Sequence, residues 1–162
     1  MSGGNKTPAT PLPITIYVSR KGQSTNLSLK LGTSQPGQPG DPGDDTLIAD
    51  VEANQVVEWK VDPNPDPGRR NDIILMHVKA ADNTIQKYKN SQQLLVDAEY
   101  AADYTNQVSG VITGVLKATL PPAKPDQGPG AKSFQNYQIG WRETIEPETI
   151  QHWDDPRLRA KS

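Results

Sequence analysis

The run Gln151-His152-Trp153-Asp154-Asp155 holds this chain's densest group of side chains able to do chemistry. An imidazole titrates near neutral pH, and a carboxylate that orients it makes a general base. His152 with Asp154 or Asp155 is therefore the candidate acid–base pair of a hydrolase. Nothing in the sequence supplies its partner: there is no Gly-x-Ser-x-Gly elbow, and no cysteine to give a thiolate nucleophile or a thiolate metal ligand. Glu143, Glu146 and Glu148 add carboxylates without the pairing that glycoside hydrolysis needs. The same run also suits binding, since Trp153 flanked by His152 and Asp154 could stack on a sugar or anchor a protein. The plainer expectation is that Trp153 plugs one end of the fold. His77, between Met76 and Val78, reads as a packed, hydrogen-bonded histidine rather than a ligand.

A second pattern is Asp62-Pro63-Asn64-Pro65-Asp66-Pro67-Gly68. Oxygen-bearing side chains at alternate positions before a glycine can wrap a hard cation, which makes Asp62, Asn64 and Asp66 candidate Ca²⁺ ligands and Ca²⁺ the sole candidate cofactor. The spacing departs from an EF-hand loop, and Asx-Pro pairs stiffen a turn unaided. A rigid inter-strand loop is the preferred reading. Asp41, Asp44 and Asp45 form another acidic group beside Gly and Pro, and read as solvated turn residues.

The whole chain bounds these options. Its 162 residues make one domain's worth, with 15 Pro and 13 Gly concentrated between the apolar segments. A net charge of −2, with cations scattered, gives no electrostatic reason to expect nucleic acid or an anionic membrane as partner. No apolar run approaches the roughly 20 residues of a membrane span. The polar start, with no apolar signal core and no cysteine anywhere, points to a cytoplasmic protein whose residues 1–12 form a disordered arm ahead of a single domain at 13–162.

The elements that must carry these groups read as short strands. Ile14, Ile16 and Val18 alternate with polar residues, as do Leu27, Leu29 and Leu31, and then Val57, Trp59 and Val61. Residues 46–52 precede the last of these as another strand. Residues 72–79 are apolar on both faces, as in a central strand, and 84–88 read as a polar edge strand. Residues 108–120 and 133–142 add longer strands, and a terminal piece around Leu158 closes the set. One helix is expected at 90–104, capped at Asn90 or Ser91 with Gln93 placed for a return bond, and with Leu94, Leu95, Ala98 and Ala101 or Ala102 at helical spacing. The fold expected is all-β: an antiparallel Greek-key β-sandwich of about eight or nine strands with that helix inserted.

Val56-Val57-Glu58-Trp59-Lys60-Val61, followed after a loop by Asn71-Asp72-Ile73-Ile74, resembles a strand pair of the cupredoxin-like sandwich. Tyr137-Gln138-Ile139-Gly140-Trp141-Arg142 resembles that family's ligand-bearing strand, and Asp155-Pro156-Arg157-Leu158-Arg159 is similar to the closing strand of its copper-less relatives. The resemblance implies the fold but denies the metal. Asn71, Ile139 and Arg142 stand where the family has histidine, cysteine and histidine, and blue copper needs two imidazoles and a thiolate.

The expectation is a non-catalytic, copper-free binding or self-assembling module, whose partner is another protein or a second copy. Its rivals are a carbohydrate-binding module using Trp153 and the acidic loop, and a hydrolase using His152. A virion or secretion-tube component is a further candidate.

Overall fold

The computed structural model describes residues 11–32, 47–144 and 152–161. Most of the expected arm at 1–12 lies outside them, as do Asp41, Asp44, Asp45, Glu146 and Glu148. The described chain is all-β. Its strands are β1 (Ile14–Lys21), β2 (Leu27–Leu31), β3 (Ile48–Val51), β4 (Val56–Val61), β5 (Arg69–Arg70), β6 (Ile73–Ala80), β7 (Glu99–Ala101), β8 (Val111–Val115), β9 (Phe134–Glu143), β10 (His152–Asp154) and β11 (Arg157–Ala160).

The strands form two sheets. One runs β2-β1-β4-β8, with β5 continuing beside β1; the other runs β3-β11-β9-β6-β7, with β10 continuing beside β9. Both are mixed rather than antiparallel throughout, because β1 lies parallel to β4 and β11 parallel to β3. Parallel neighbours cannot be joined by a hairpin. Here the strands between them in sequence are sent elsewhere in the same sheet or to the other one.

Alternation in sequence becomes burial. Ile16 and Val18, Val57 and Trp59, and Tyr137, Ile139 and Trp141 are all fully buried, and these residues from both sheets make one core. Burying such side chains is worth about 1.5–3 kcal/mol each before the entropy of ordering them. The Trp59 indole N–H donates to the Tyr137 hydroxyl at 3.0 Å with the rings edge to face, so the two sheets are joined by a buried polar contact inside apolar packing. Burial raises the Tyr137 hydroxyl's pKa well above its ordinary value and keeps it neutral.

The helix expected at 90–104 is absent. That segment is extended: it crosses from the 3₁₀ turn Gln86–Tyr88 to β7, bridging Leu95 to Leu116 on the way. Gln135 explains the difference. Its side-chain carbonyl accepts from the amides of both Leu94 and Leu95, at 2.8 and 2.9 Å, while the Gln93 amide donates to the carbonyls of Leu95 and Asp97. Side chains thus satisfy the backbone groups a helix would have paired, and Leu94 and Leu95 are both buried. The polar strand expected at 84–88 is likewise replaced by an Asx turn at Asp82 and the 3₁₀ turn.

Gly110, ahead of β8, is required by its surroundings. It has φ +82°, and a Cβ there would meet the Leu75 carbonyl oxygen at 2.7 Å and Tyr104 Cε1 at 2.8 Å. The approach lets Leu75 N–H bond Ser109 O and the Tyr104 hydroxyl bond Leu75 O. Among the described residues no helix is long and apolar enough to cross a membrane.

Candidate functional site

Strand alternation splits the sequence-predicted trio. His152 and Asp154 share the face of β10 that meets Trp141, while Trp153 points the other way. The Asp154 carboxylate, 5 % exposed, accepts from the Trp141 indole N–H at 2.9 Å and from the backbone amide of Leu27 at 3.1 Å. It therefore ties β9 and β10 of one sheet to the edge strand β2 of the other. The His152 ring packs on Trp141 with centroids 4.4 Å apart, and among the described residues the carboxylate within ion-pair reach is Glu143 at 3.9 Å rather than either aspartate. The acid–base pair His152 with Asp154 or Asp155 is not assembled.

Beside His152 lies an ionic cluster that closes one end of the core. Arg20 is the last inward residue of β1, 3 % exposed, and its guanidinium grips Asp72 with two bonds of 2.9 and 2.7 Å. It also contacts Glu143, the last residue of β9, and Arg70 reaches Asp72 at 3.0 Å. The Arg20 bond holds the Asp72 carboxyl below the ordinary carboxylate range against the opposing effect of burial, and Arg20 is correspondingly raised. A buried charge held by bidentate bonds is costly to strip of its partner. This cluster serves to close the two sheets on each other.

Trp153 does not plug an end of the fold. It is 39 % exposed on the outer face of the six-stranded sheet, with Lys79 Nζ 4.2 Å from its ring centre and the His77 ring 6.3 Å away. The register sets Gly140 between Trp153 and His77, so no side chain separates the two rings. His77 is half-buried, with Glu99 at 3.7 Å, and faces this surface instead of the core.

The Asp62–Asp66 loop gathers around a cation of its own. Lys30 Nζ lies 3.2 Å from Asp66 and 3.8 Å from Asp62. Asp62 also accepts from the Asn64 backbone amide in an Asx turn, and its carbonyl accepts from the Asn71 side chain. Asn64 is exposed. Among the described residues no group of three or more His, Cys, Asp or Glu is arranged to hold a metal ion.

No sequence motif announces the recess of about 390 Å³ lined by Ile48, Lys87, Tyr88, Asn136, Asp155 and Arg157. Ile48, Arg157 and Asn136 form one register row across β3, β11 and β9, on the face opposite the core residues Ala49 and Leu158. The 3₁₀ turn brings Lys87 and Tyr88, whose ammonium and hydroxyl both bond Asp155, at 2.8 and 2.7 Å. Burial pushes the Asp155 carboxyl up, but these two bonds outweigh it and leave it below its ordinary value.

Two groups here are left over. Asn136 is 7 % exposed, and its Oδ1 is buried without a hydrogen-bond partner among the described residues. The Arg157 guanidinium lies 4.1 Å over the Phe134 ring and has no carboxylate partner among the described residues, since Asp50 is taken by Arg159 and Asp155 by Lys87. Burial, with Arg159 nearby, lowers its pKa. The alternation Arg157-Leu158-Arg159 was the one available signal, marking two cations on a single strand face. Compared with family models and with curated proteins, the sequence gives no match.

Proposed function

We propose that the chain is a non-catalytic binding module built on a copper-free, cupredoxin-like Greek-key β-sandwich, with its ligand taken at the outer face of the six-stranded sheet. One contrast carries this reading. The groups with catalytic potential are engaged in structural contacts: Asp154 bridges Trp141 and Leu27 across the two sheets, His152 packs on Trp141 within its own sheet, and Arg20 binds Asp72 and Glu143. The outer-face recess instead keeps an unfilled Asn136 acceptor and an Arg157 with no carboxylate partner among the described residues. Native structures seldom leave buried polar atoms unsatisfied, and such atoms at a concave surface suit recognition.

The positions where the resemblance would place copper ligands support the same reading. Asn71 donates to the Asp62 carbonyl, and Ile139 is fully buried in the core.

Turnover is the test. Across a panel of ester, glycoside, phosphoester and peptide substrates, the wild-type chain and His152→Ala are expected to give identical rates at background. Turnover that disappears in His152→Ala while the variant keeps its fold would overturn the proposal in favour of a hydrolase.

Self-assembly is a second reading, supported by β2 and β3, which end their respective sheet orders. A strand at a sheet edge offers unpaired backbone groups to another copy. Light scattering over a hundredfold concentration range decides it: a constant monomer mass removes this reading, and a rising mass that Lys or Pro substitutions in β3 abolish establishes it.

A further inference from the structure

Resting on the binding-module reading, we infer that the recess between β11, β9 and the 3₁₀ turn binds a small hydroxylated carboxylate, a uronate of monosaccharide size. Its carboxylate would lie on Arg157, with its hydroxyls on Asn136 and Asp155.

Each half of that ligand answers a group left open. The Arg157 guanidinium carbon lies 4.1 Å over the Phe134 ring, a cation–π contact that uses none of its N–H donors in a hydrogen bond. A planar fork of donors matches a carboxylate bidentately. The guanidinium is half-buried, so its charge acts with less screening than a surface lysine's. Lys87 is committed to Asp155, so among the described residues the recess offers one uncompensated positive charge. That suits a monoanion. A phosphate dianion would bring its second charge against the Asp155 carboxylate.

Asn136 requires the other half. Its Oδ1 accepts nothing from the described residues, and a carboxylate has no proton to give. A hydroxyl next to the carboxylate does, and can accept from the same amide's N–H₂. Asp155, whose Oδ2 already accepts from Lys87 and Tyr88, offers its other oxygen, Oδ1, as a further acceptor at the rim. An α-amino acid would set its ammonium near Arg157 and Lys87, which disfavours it. The volume of about 390 Å³ sits at the small end of ligand sites.

The test is ¹H–¹⁵N NMR titration of the full chain with glucuronate, glucose, acetate and phosphate, each replacing chloride at constant ionic strength. Glucuronate is expected to give saturable shifts at the Asn136 side chain and Arg157 Nε–H, and to bind about tenfold or more tightly than acetate or glucose, the gain of one charge-assisted hydrogen bond. Arg157→Gln should abolish that advantage and Arg157→Lys retain part of it. Should Arg157→Gln fail to fold, Lys87→Glu at an exposed position adds a negative charge beside the recess: it should weaken glucuronate about tenfold more than it weakens glucose, and an equal loss for both would overturn the assignment.

Glucose equal to glucuronate, phosphate tighter than glucuronate, or linear shifts with all four probes would each overturn the assignment. Those results would leave the binding-module reading in place, which falls only to His152-dependent turnover.

Discussion

Replacing Arg20 by Met tests whether the end of the core is closed by charge. The substitution keeps the length of the apolar stem and removes five donors. Asp72 and Glu143 then face each other at the mouth of the core with side chains 29 % and 20 % exposed. Breaking a buried pair by deleting one partner costs about 3–5 kcal/mol. Arg70 still reaches Asp72 at 3.0 Å and both acids touch solvent, so the low end applies, about 3 kcal/mol. In a chain of this size that is a fall in Tm of roughly 6–12 °C. The pH dependence gives the sharper signature. Arg20 depresses the Asp72 pKa in the folded state, so its stabilisation is full above the unfolded carboxylate range, about pH 4, and is lost as pH falls through the lower folded value. The deficit of Arg20→Met should therefore shrink in acid. Urea unfolding of wild type, Arg20→Met, Asp72→Asn and the double variant, at pH 7 and pH 3, measures both effects. A loss below about 1 kcal/mol at pH 7, or additive single effects with no coupling, would refute a buried ionic closure.

Other substitutions probe other joints. Tyr137→Phe leaves the Trp59 indole N–H without an acceptor inside the core and should cost about 1–3 kcal/mol by denaturant unfolding, although no apolar contact is lost. Gly110→Ala meets both a left-handed backbone and the Leu75 carbonyl, and should cost about 2 kcal/mol or more, with loss of the Tyr104 hydroxyl's bond visible in Tyr fluorescence. Millimolar CaCl₂ should leave Tm unchanged relative to equal ionic strength of NaCl, because Lys30 already sits between Asp62 and Asp66; a saturable rise in Tm would show that calcium displaces it.

The strands that alternate cleanly are legible in the residue pattern alone. β1, β4 and β9 carry their inward residues at every second position, and those residues are the core. The segment at 90–104 misleads for a physical reason. Leucines and alanines at helical spacing state a preference, but the backbone there is satisfied by Gln135, 40 and 41 positions away, which no local pattern registers. The same applies to function. His152, Trp153 and Asp154 are adjacent in sequence, yet alternation sends Trp153 to the outer face and the other two to Trp141. The recess shows the converse, with Ile48, Tyr88, Asn136 and Arg157 scattered along the chain and set side by side by the order β3-β11-β9. Parallel pairing of β3 with β11 could not be read from either strand alone.

That pairing also bears on how the molecule is made. β11 is inserted between β3 and β9, and the ion pair from Arg159 to Asp50 spans 109 positions of sequence. Among the described residues, Ile48–Val51 has no paired strand until Arg157–Ala160 has been synthesised, so the six-stranded sheet completes late and its earliest strand waits longest. Contacts of such separation slow the final step of folding and leave β3 open to a wrong partner in the interval.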